Sequence, residues 1–452
     1  MEMNIAQIAQ MTSGILHGPG EGIPLDLKLD SRQILPGDLF VCLAGEKVDG
    51  HWFLEEAVRR GAIAAMVERD IPFPGALSQI RVSSTRQALF DLAGGLRNRF
   101  SGQVIAITGT AGKTTTKDLT VALLASSGAV YASAGNLNTE LGIPLIFFRM
   151  PADTQFLVLE LGMQKLGDIR LLAQMVRPDI GLITEIGPAH LEYLGSVEQI
   201  LAEKWELLQA LPDGATILLN QDNVFLREAQ VPTNKQAVYF GMDARADLRG
   251  TIRSENREWT QLRIEGLGGG WEANLPFVGS HLVRDFLGAF ALGLILGAVP
   301  KDMLDRVEGF QLPVGRGQIL HLSGNVAVID ESYNANPLSV HAALDTLAVR
   351  TTGRRIAVLG DMLELGQESK FYHRQMGEIA AARADLLFFY GPLSADAAAA
   401  AHQAGMQPGA VQHFLDRVEL TKAVKMALQS SDCLLVKGSR GMHLEDLIHE
   451  LE

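Results

Sequence analysis

Cysteine is nearly absent from this sequence: 452 residues contain two, Cys42 and Cys433, at opposite ends of the chain and with no CxxC pairing. That excludes a disulfide framework and a cysteine-bound zinc or redox centre, and both residues are expected to be reduced, buried small hydrophobes. Long apolar runs are lacking too. The most continuous, FLGAFALGLILGAVP at 286–300, falls short of the roughly 20 residues that span a bilayer, so it predicts a buried helix. Positive charge is in deficit, 39 Lys and Arg against 52 Asp and Glu for a net charge of -13. Such a chain repels phosphate backbones and anionic lipid, and neither nucleic acid nor membrane insertion is expected. The N-terminal MEMNIAQIAQ carries no basic stretch ahead of an apolar one, so it does not read as a signal peptide and a cytoplasmic protein is expected.

What is present is a globular composition, 47% hydrophobic and 20% charged, without a low-complexity tract. Length alone predicts several cores at roughly 150 residues each, and three stretches differ in texture. Residues 1–84 contain short strand-like runs, DLFVCL and AIAAMV, broken by Gly and Pro turns, as in a small α/β domain. Residues 85–311 alternate apolar strands (QVIAIT, FLVLE, IGLIT, ATILLN) with helical patterns, the mark of a parallel sheet covered on both faces. Within this stretch, 236–279 is richer in short antiparallel strands, ahead of an apolar helix starting near His281. Residues 312–452 repeat the alternation with VAVID, RIAVLG, DLLFFYG and CLLVKG. The fold class predicted is α/β with three domains, the central one a parallel-sheet phosphate-loop domain and the last a second, Rossmann-like one, with ligands beyond the carboxyl ends of the strands.

The sharpest local signal is ITGTAGKTTTK. A strand at 104–108 runs into Gly109, Thr110, Ala111 and Gly112, and Lys113, Thr114 and Thr115 open a helix. The glycines let backbone N–H groups approach phosphate oxygens, the helix N-terminus adds positive potential, Lys113 neutralises charge and the Thr114 hydroxyl can ligate Mg2+. The GxxGKT spacing is shorter than the standard phosphate loop. Glu160 ends the strand FLVLE and is either a partner of Thr114 in a Mg2+ site or a strand-end acid in solvent. His190 follows the strand IGLIT, and Lys204 lies mid-helix in AEKWELL, where a solvated face is the plain expectation.

Taken in order, these segments resemble the Mur ligases of bacterial cell-wall synthesis. ITGTAGKTTTK is similar to that family's short phosphate loop, and GNLNTELGIP, VLELGM and the segment from His190 to Gly195-Ser196 follow in the family's order. The run DESYNANPLS from Asp330 to Ser339, with GDMLELG at 360–366 and KGSR at 437–440, resembles those members that join D-alanyl-D-alanine to a UDP-N-acetylmuramoyl tripeptide. DSR at 30–32, PGDLF at 36–40 and GEKVDGH at 45–51 resemble the family's uridine-nucleotide-binding domain.

The resemblance implies an ATP-dependent, amide-forming ligase, acting as a monomer. It implies two Mg2+ ions, one held by Thr114 and Glu160 and a second bordered by Glu160 and His190, with Lys204 at a position often carbamylated by CO2. It also implies catalytic roles for Lys113, His190, Lys204 and Arg316, and ATP contacts from the loop 109–115, His281, Arg316 and Asp330, the last to ribose. On the peptide and uridine side it implies Ser31, Arg32, Lys47, Asn136, Asn138 and Thr139, with Tyr333, Asn334 and Asn336 in the third domain. Asn334 and Asn336 are left to either nucleotide or dipeptide. Two departures stand out: His281-Leu282-Val283-Arg284-Asp285 replaces the family's His-Asn pair and second Asn near adenine, and Ala111 stands where Asn or Ser is frequent. Hinges are expected near 84–100 and 309–315.

Overall fold

A computed structural model describes residues 2–45, 47–72, 77–256, 258–350 and 353–451. Glu46, within the GEKVDGH segment, lies outside the described residues. The chain forms three sheets in succession, each dressed with helices. The first has five strands in the order Ile15–His17, Ser78–Arg81, Ala64–Val67, Leu39–Val41 and Leu27–Lys28, parallel except for the first pair. The third has six, Gln318–Leu322, Val326–Glu331, Cys433–Lys437, Arg355–Gly360, Leu386–Tyr390 and Val411–Phe414, again parallel apart from its first pair.

The nine-stranded middle sheet positions the site. Its parallel centre sets Gln103–Thr108 between Phe156–Glu160 and Ile180–Ile183, with Ile107 opposite Glu160 and Thr108 opposite Ile183. These strands are buried along almost their whole length, as apolar runs covered on both faces must be. Parallel pairing in that register brings three strand ends to one edge, and with them the glycine loop, Glu160 and the turn that leads to His190. The antiparallel strands Leu248–Glu255, Thr260–Gly266 and Gly269–Leu275 extend the same sheet at the far side. Helices Lys113–Leu124 and Ser280–Ile295 pack together on one face; the second carries the apolar run and buries Phe286 through Gly293. Cys42 and Cys433 are both buried. No helix of the described residues is long and apolar enough to cross a membrane.

The segment expected as a hinge near 84–100 is helix Thr85–Arg99, N-capped by the Ser84 hydroxyl, which accepts from the Gln87 amide. Leu89, Leu92 and Leu96 recur at the spacing of one helical face and are fully buried against helices of both the first and second domains. The apolar stripe of this helix is thus buried on both neighbours. Residues 311–313, in contrast, carry no helix or strand. Leu92→Ala is expected to lower stability by about 2–5 kcal/mol through loss of buried methyls and the cavity left behind, read as an earlier urea midpoint of the nucleotide-free protein.

Candidate functional site

A cavity of about 700 Å³ opens where the second sheet's edge meets the third domain. Its floor is the glycine loop. Gly112 (φ +82) precedes helix Lys113–Leu124 directly, and the Asp285 carboxylate fills the space a Cβ would need, its Oδ1 lying 2.2 Å from that position. The loop is tied down on its other side: the Thr110 amide donates to the Glu185 carbonyl at 2.7 Å, and the Thr184 hydroxyl donates to the Ala111 carbonyl at 2.5 Å. Thr110 to Thr115 line the cavity. Gly109 does not; its carbonyl accepts from Lys113 Nζ at 2.8 Å.

Above the loop sits Glu160, 4% exposed, accepting from the Thr114 hydroxyl at 2.7 Å and from the Asn138 amide at 2.8 Å. Burial alone would raise its pKa; Lys113, the Thr114 hydroxyl, Arg316 and Asn138 outweigh that and hold it below its ordinary value. The same burial, with Arg316 nearby, depresses Lys113 against the pull of Glu160. Asn136, Asn138 and Thr139 line the neighbouring wall.

Lys204 is not on a solvated helix face. It is 2% exposed in helix Val197–Ala210, and burial followed by repulsion from Lys113 pushes its pKa well below the lysine range, with Glu203 and Glu160 opposing. Glu203 does not neutralise it directly, being used by the Gly167 and Ile169 amides. His190 lines the cavity with Nδ1 2.5 Å from Glu364 Oε2; burial lowers its pKa and Glu364 opposes. Among the described residues no three His, Cys, Asp or Glu side chains gather as a metal cluster.

The third domain supplies the roof. Asn336 reaches the Thr110 carbonyl at 3.4 Å, and Leu338 packs so tightly on Gly187 that a Cβ there would come within 2.2 Å of it. Arg316 stacks on the Tyr333 ring at 4.0 Å from its centroid, with Arg440 at 5.6 Å. Arg316, Tyr333, Asn334, Asn336 and His281 all line the cavity. Asp330 does not. Its carboxylate is 4% exposed and accepts from the Ser332 amide and hydroxyl, while the next residue, Glu331, lines the cavity instead. Successive side chains of a strand point to opposite faces, so Glu331 is presented to the cavity and Asp330, the residue expected to contact ribose, to the opposite face. Glu331 is held near a pKa of about 2: burial raises it, but Lys437 at 3.1 Å and His281 at 3.8 Å prevail.

Ser31, Arg32 and Lys47 are not brought to this cavity. Ser31 donates to Glu56, Arg32 pairs with Asp30, and Lys47 is exposed, all within the first domain. Sequence reasoning passed over Glu331, Glu364 and Arg440 as individual site residues, although each lay inside a quoted motif. It also passed over Glu185, a buried carboxyl raised by burial and by Asp222, and Asp285, raised well above the carboxylate range by burial and by Glu185.

Comparison with known proteins gives consistent likenesses. The model of the Mur ligase family, catalytic domain, matches residues 26–95, that of the Mur ligase middle domain 107–293, and that of the Mur ligase, glutamate ligase domain, 315–440. A Bacillus subtilis (strain 168) protein named UDP-N-acetylmuramoyl-tripeptide--D-alanyl-D-alanine ligase is 32% identical over 456 residues, covering 100% of this chain and 98% of its own. The protein of that name from Escherichia coli (strain K12) is 32% identical over 458 residues, covering 100% and 99%. Among solved structures, MurF from Acinetobacter baumannii superposes with a TM-score of 0.91 at 29% identity, covering 100% of this chain and 99% of that one. MurF ligase from Thermotoga maritima in complex with ADP gives 0.84 at 27%, covering 94% and 96%. With full-length relatives above 30% identity and three family models matched in chain order, this chain belongs to the Mur ligase family.

Proposed function

We infer that this chain is an ATP-dependent ligase that adds D-alanyl-D-alanine to a UDP-N-acetylmuramoyl tripeptide, a step of peptidoglycan precursor synthesis in the cytoplasm, and that it acts as a monomer. The observation that carries the reading is the single cavity where the glycine loop, Glu160, His190 and the third-domain residues Arg316, Tyr333 and Asn336 converge, in a chain similar over its full length to ligases of that name.

A carboxylate is a resonance-stabilised, poor electrophile, so amide formation needs activation. The tripeptide's terminal carboxylate attacks the γ-phosphorus of ATP, ADP leaves, and the acyl phosphate is then attacked by the dipeptide amine with loss of phosphate. The loop amides at 110–115 and Lys113 cradle and neutralise the transferring phosphoryl group, and Arg316, oriented by its stack on Tyr333, does so from the other side. His281 and Glu331 lie on the nucleotide side, and Asp330 acts there indirectly, by fixing Ser332 and the turn before Tyr333. Asn136, Asn138 and Thr139 take the muramoyl peptide; Ser31, Arg32 and Lys47 take the uridine end. Asn334 and Asn336 face nucleotide or dipeptide. Seating the third domain on Gly187 and Thr110 excludes the water that would otherwise hydrolyse the acyl phosphate.

The residues present fit Mg2+, a hard cation that prefers oxygen: the Thr114 hydroxyl and an ionised Glu160 oxygen lie side by side at 2.7 Å. Thr114 and Glu160 would hold one ion, and Glu160, His190 and a carbamylated Lys204 would border a second. When bound, the ions supply charge neutralisation on the transferring phosphate. Lys204 suits carbamylation because CO2 reacts with the neutral amine, and its burial beside Lys113 favours that form.

Phosphate release from ATP and Mg2+ is expected only with both the tripeptide and D-alanyl-D-alanine present, and the product should gain the dipeptide mass; turnover indifferent to the dipeptide would refute the assignment. Gly112→Ala is expected to abolish ADP binding in calorimetry, since any Cβ meets Asp285 in a left-handed backbone. Lys204→Ala should reduce turnover by about 10²-fold, with partial recovery on adding a short carboxylic acid in place of the missing carbamate; recovery with an amine instead would exclude the carbamate.

A further inference from the structure

One interdomain contact at the cavity rim is not used by the reaction as described. Glu364, in the turn after strand Arg355–Gly360, meets His190 at 2.5 Å although 174 residues separate them. Two backbone contacts flank the pair. The Glu192 amide donates to the Glu364 carbonyl at 3.0 Å, and Gly366 (φ +55) lies so near Glu192 that a Cβ would be 3.0 Å from its Cα. Both partners sit in left-handed backbone, His190 at φ +53 and Glu364 at φ +63. Residues other than glycine adopt that conformation rarely, and here one stands on each side of the same contact, where the surrounding packing must hold them.

Glu364 occupies Nδ1, so Nε2 is the nitrogen left to act as a ligand. A carboxylate on one imidazole nitrogen selects the tautomer, stops ring rotation and makes the other nitrogen a better donor to a cation. The two residues hang on different sheets, His190 beyond strand Ile180–Ile183 of the second and Glu364 beyond Arg355–Gly360 of the third. The contact therefore exists only while those domains are together. We propose that Glu364 is a positioning residue, reaching across from the third domain to orient His190, so that the metal-binding set is completed by domain closure. This rests on the reading of His190 as a metal ligand.

The test is Mn2+ binding, followed by electron paramagnetic resonance, to the full-length protein saturated with ADP, using Glu364→Ala, Glu364→Gln, His190→Ala and the double alanine variant. Glu364→Ala should weaken Mn2+ by about 10- to 100-fold. Glu364→Gln, which keeps an acceptor for the imidazole N–H, should recover most of that loss. The second alanine should add nothing to the first, because both act through one ring. ADP affinity in EDTA should be the same in all four. Unchanged Mn2+ affinity in Glu364→Ala beside a weakened His190→Ala overturns this proposal alone, as do additive losses or a fall in metal-free ADP affinity. Unchanged affinity in both single variants removes the metal role of His190 and this inference with it.

Discussion

An ionised carboxylate out of water must be surrounded by donors, and Glu160 shows what that demands of the neighbouring chain. Burial would protonate it, yet the Thr114 hydroxyl, the Asn138 amide and the charges of Lys113 and Arg316 keep it ionised. Those two donors and two charges come from the phosphate-loop helix, the 136–139 turn and the third domain. The parallel register that places Ile107 opposite Glu160 is what lets one acid reach them. The loop, the 136–139 wall of the cavity and the domain junction are thereby arranged about one group.

The cations carry the complementary constraint. The chain has a net charge of -13, yet Lys113, Lys204, Arg316 and Lys437 cluster around this edge, Lys204 and Lys437 buried and the other two half-buried. Each is balanced differently. Lys437 is neutralised outright by Glu331, Arg316 leans on the Tyr333 ring, Lys113 shares Glu160, and Lys204 has no direct carboxylate partner among the described residues and is pushed toward the neutral amine. Local concentration of positive charge in a low-dielectric pocket is what an acidic protein needs to hold anionic substrates.

The departures at Leu282 and Asp285 have a physical basis in the packing of helix Ser280–Ile295. Leu282 is 3% exposed and joins the apolar core, so it presents no amide to a base. Asp285 packs against Gly112, where burial and Glu185 favour its neutral acid.

Much of this was legible in the residues themselves. The glycine loop, the strand before it and the helix after it depend on backbone conformations a few residues long, and runs such as QVIAIT declare burial on both faces, so short-range rules suffice. The alternation of strands and helices, the burial of the apolar run from Phe286 in helix Ser280–Ile295 and the placement of Thr114 beside Glu160 follow from those rules together with the family likeness. Tertiary structure alone decided the rest. Lys204 looks like a solvated helix residue until helix Asp168–Val176 packs on its own helix; which of Asp330 and Glu331 lines the cavity turns on one step of strand phase; helix Thr85–Arg99 has its apolar stripe buried by two domains; and Glu364 meets His190 only because two sheets face each other across the cavity. Burial and pairing are properties of which surfaces meet, and local sequence encodes the surfaces without encoding their meeting.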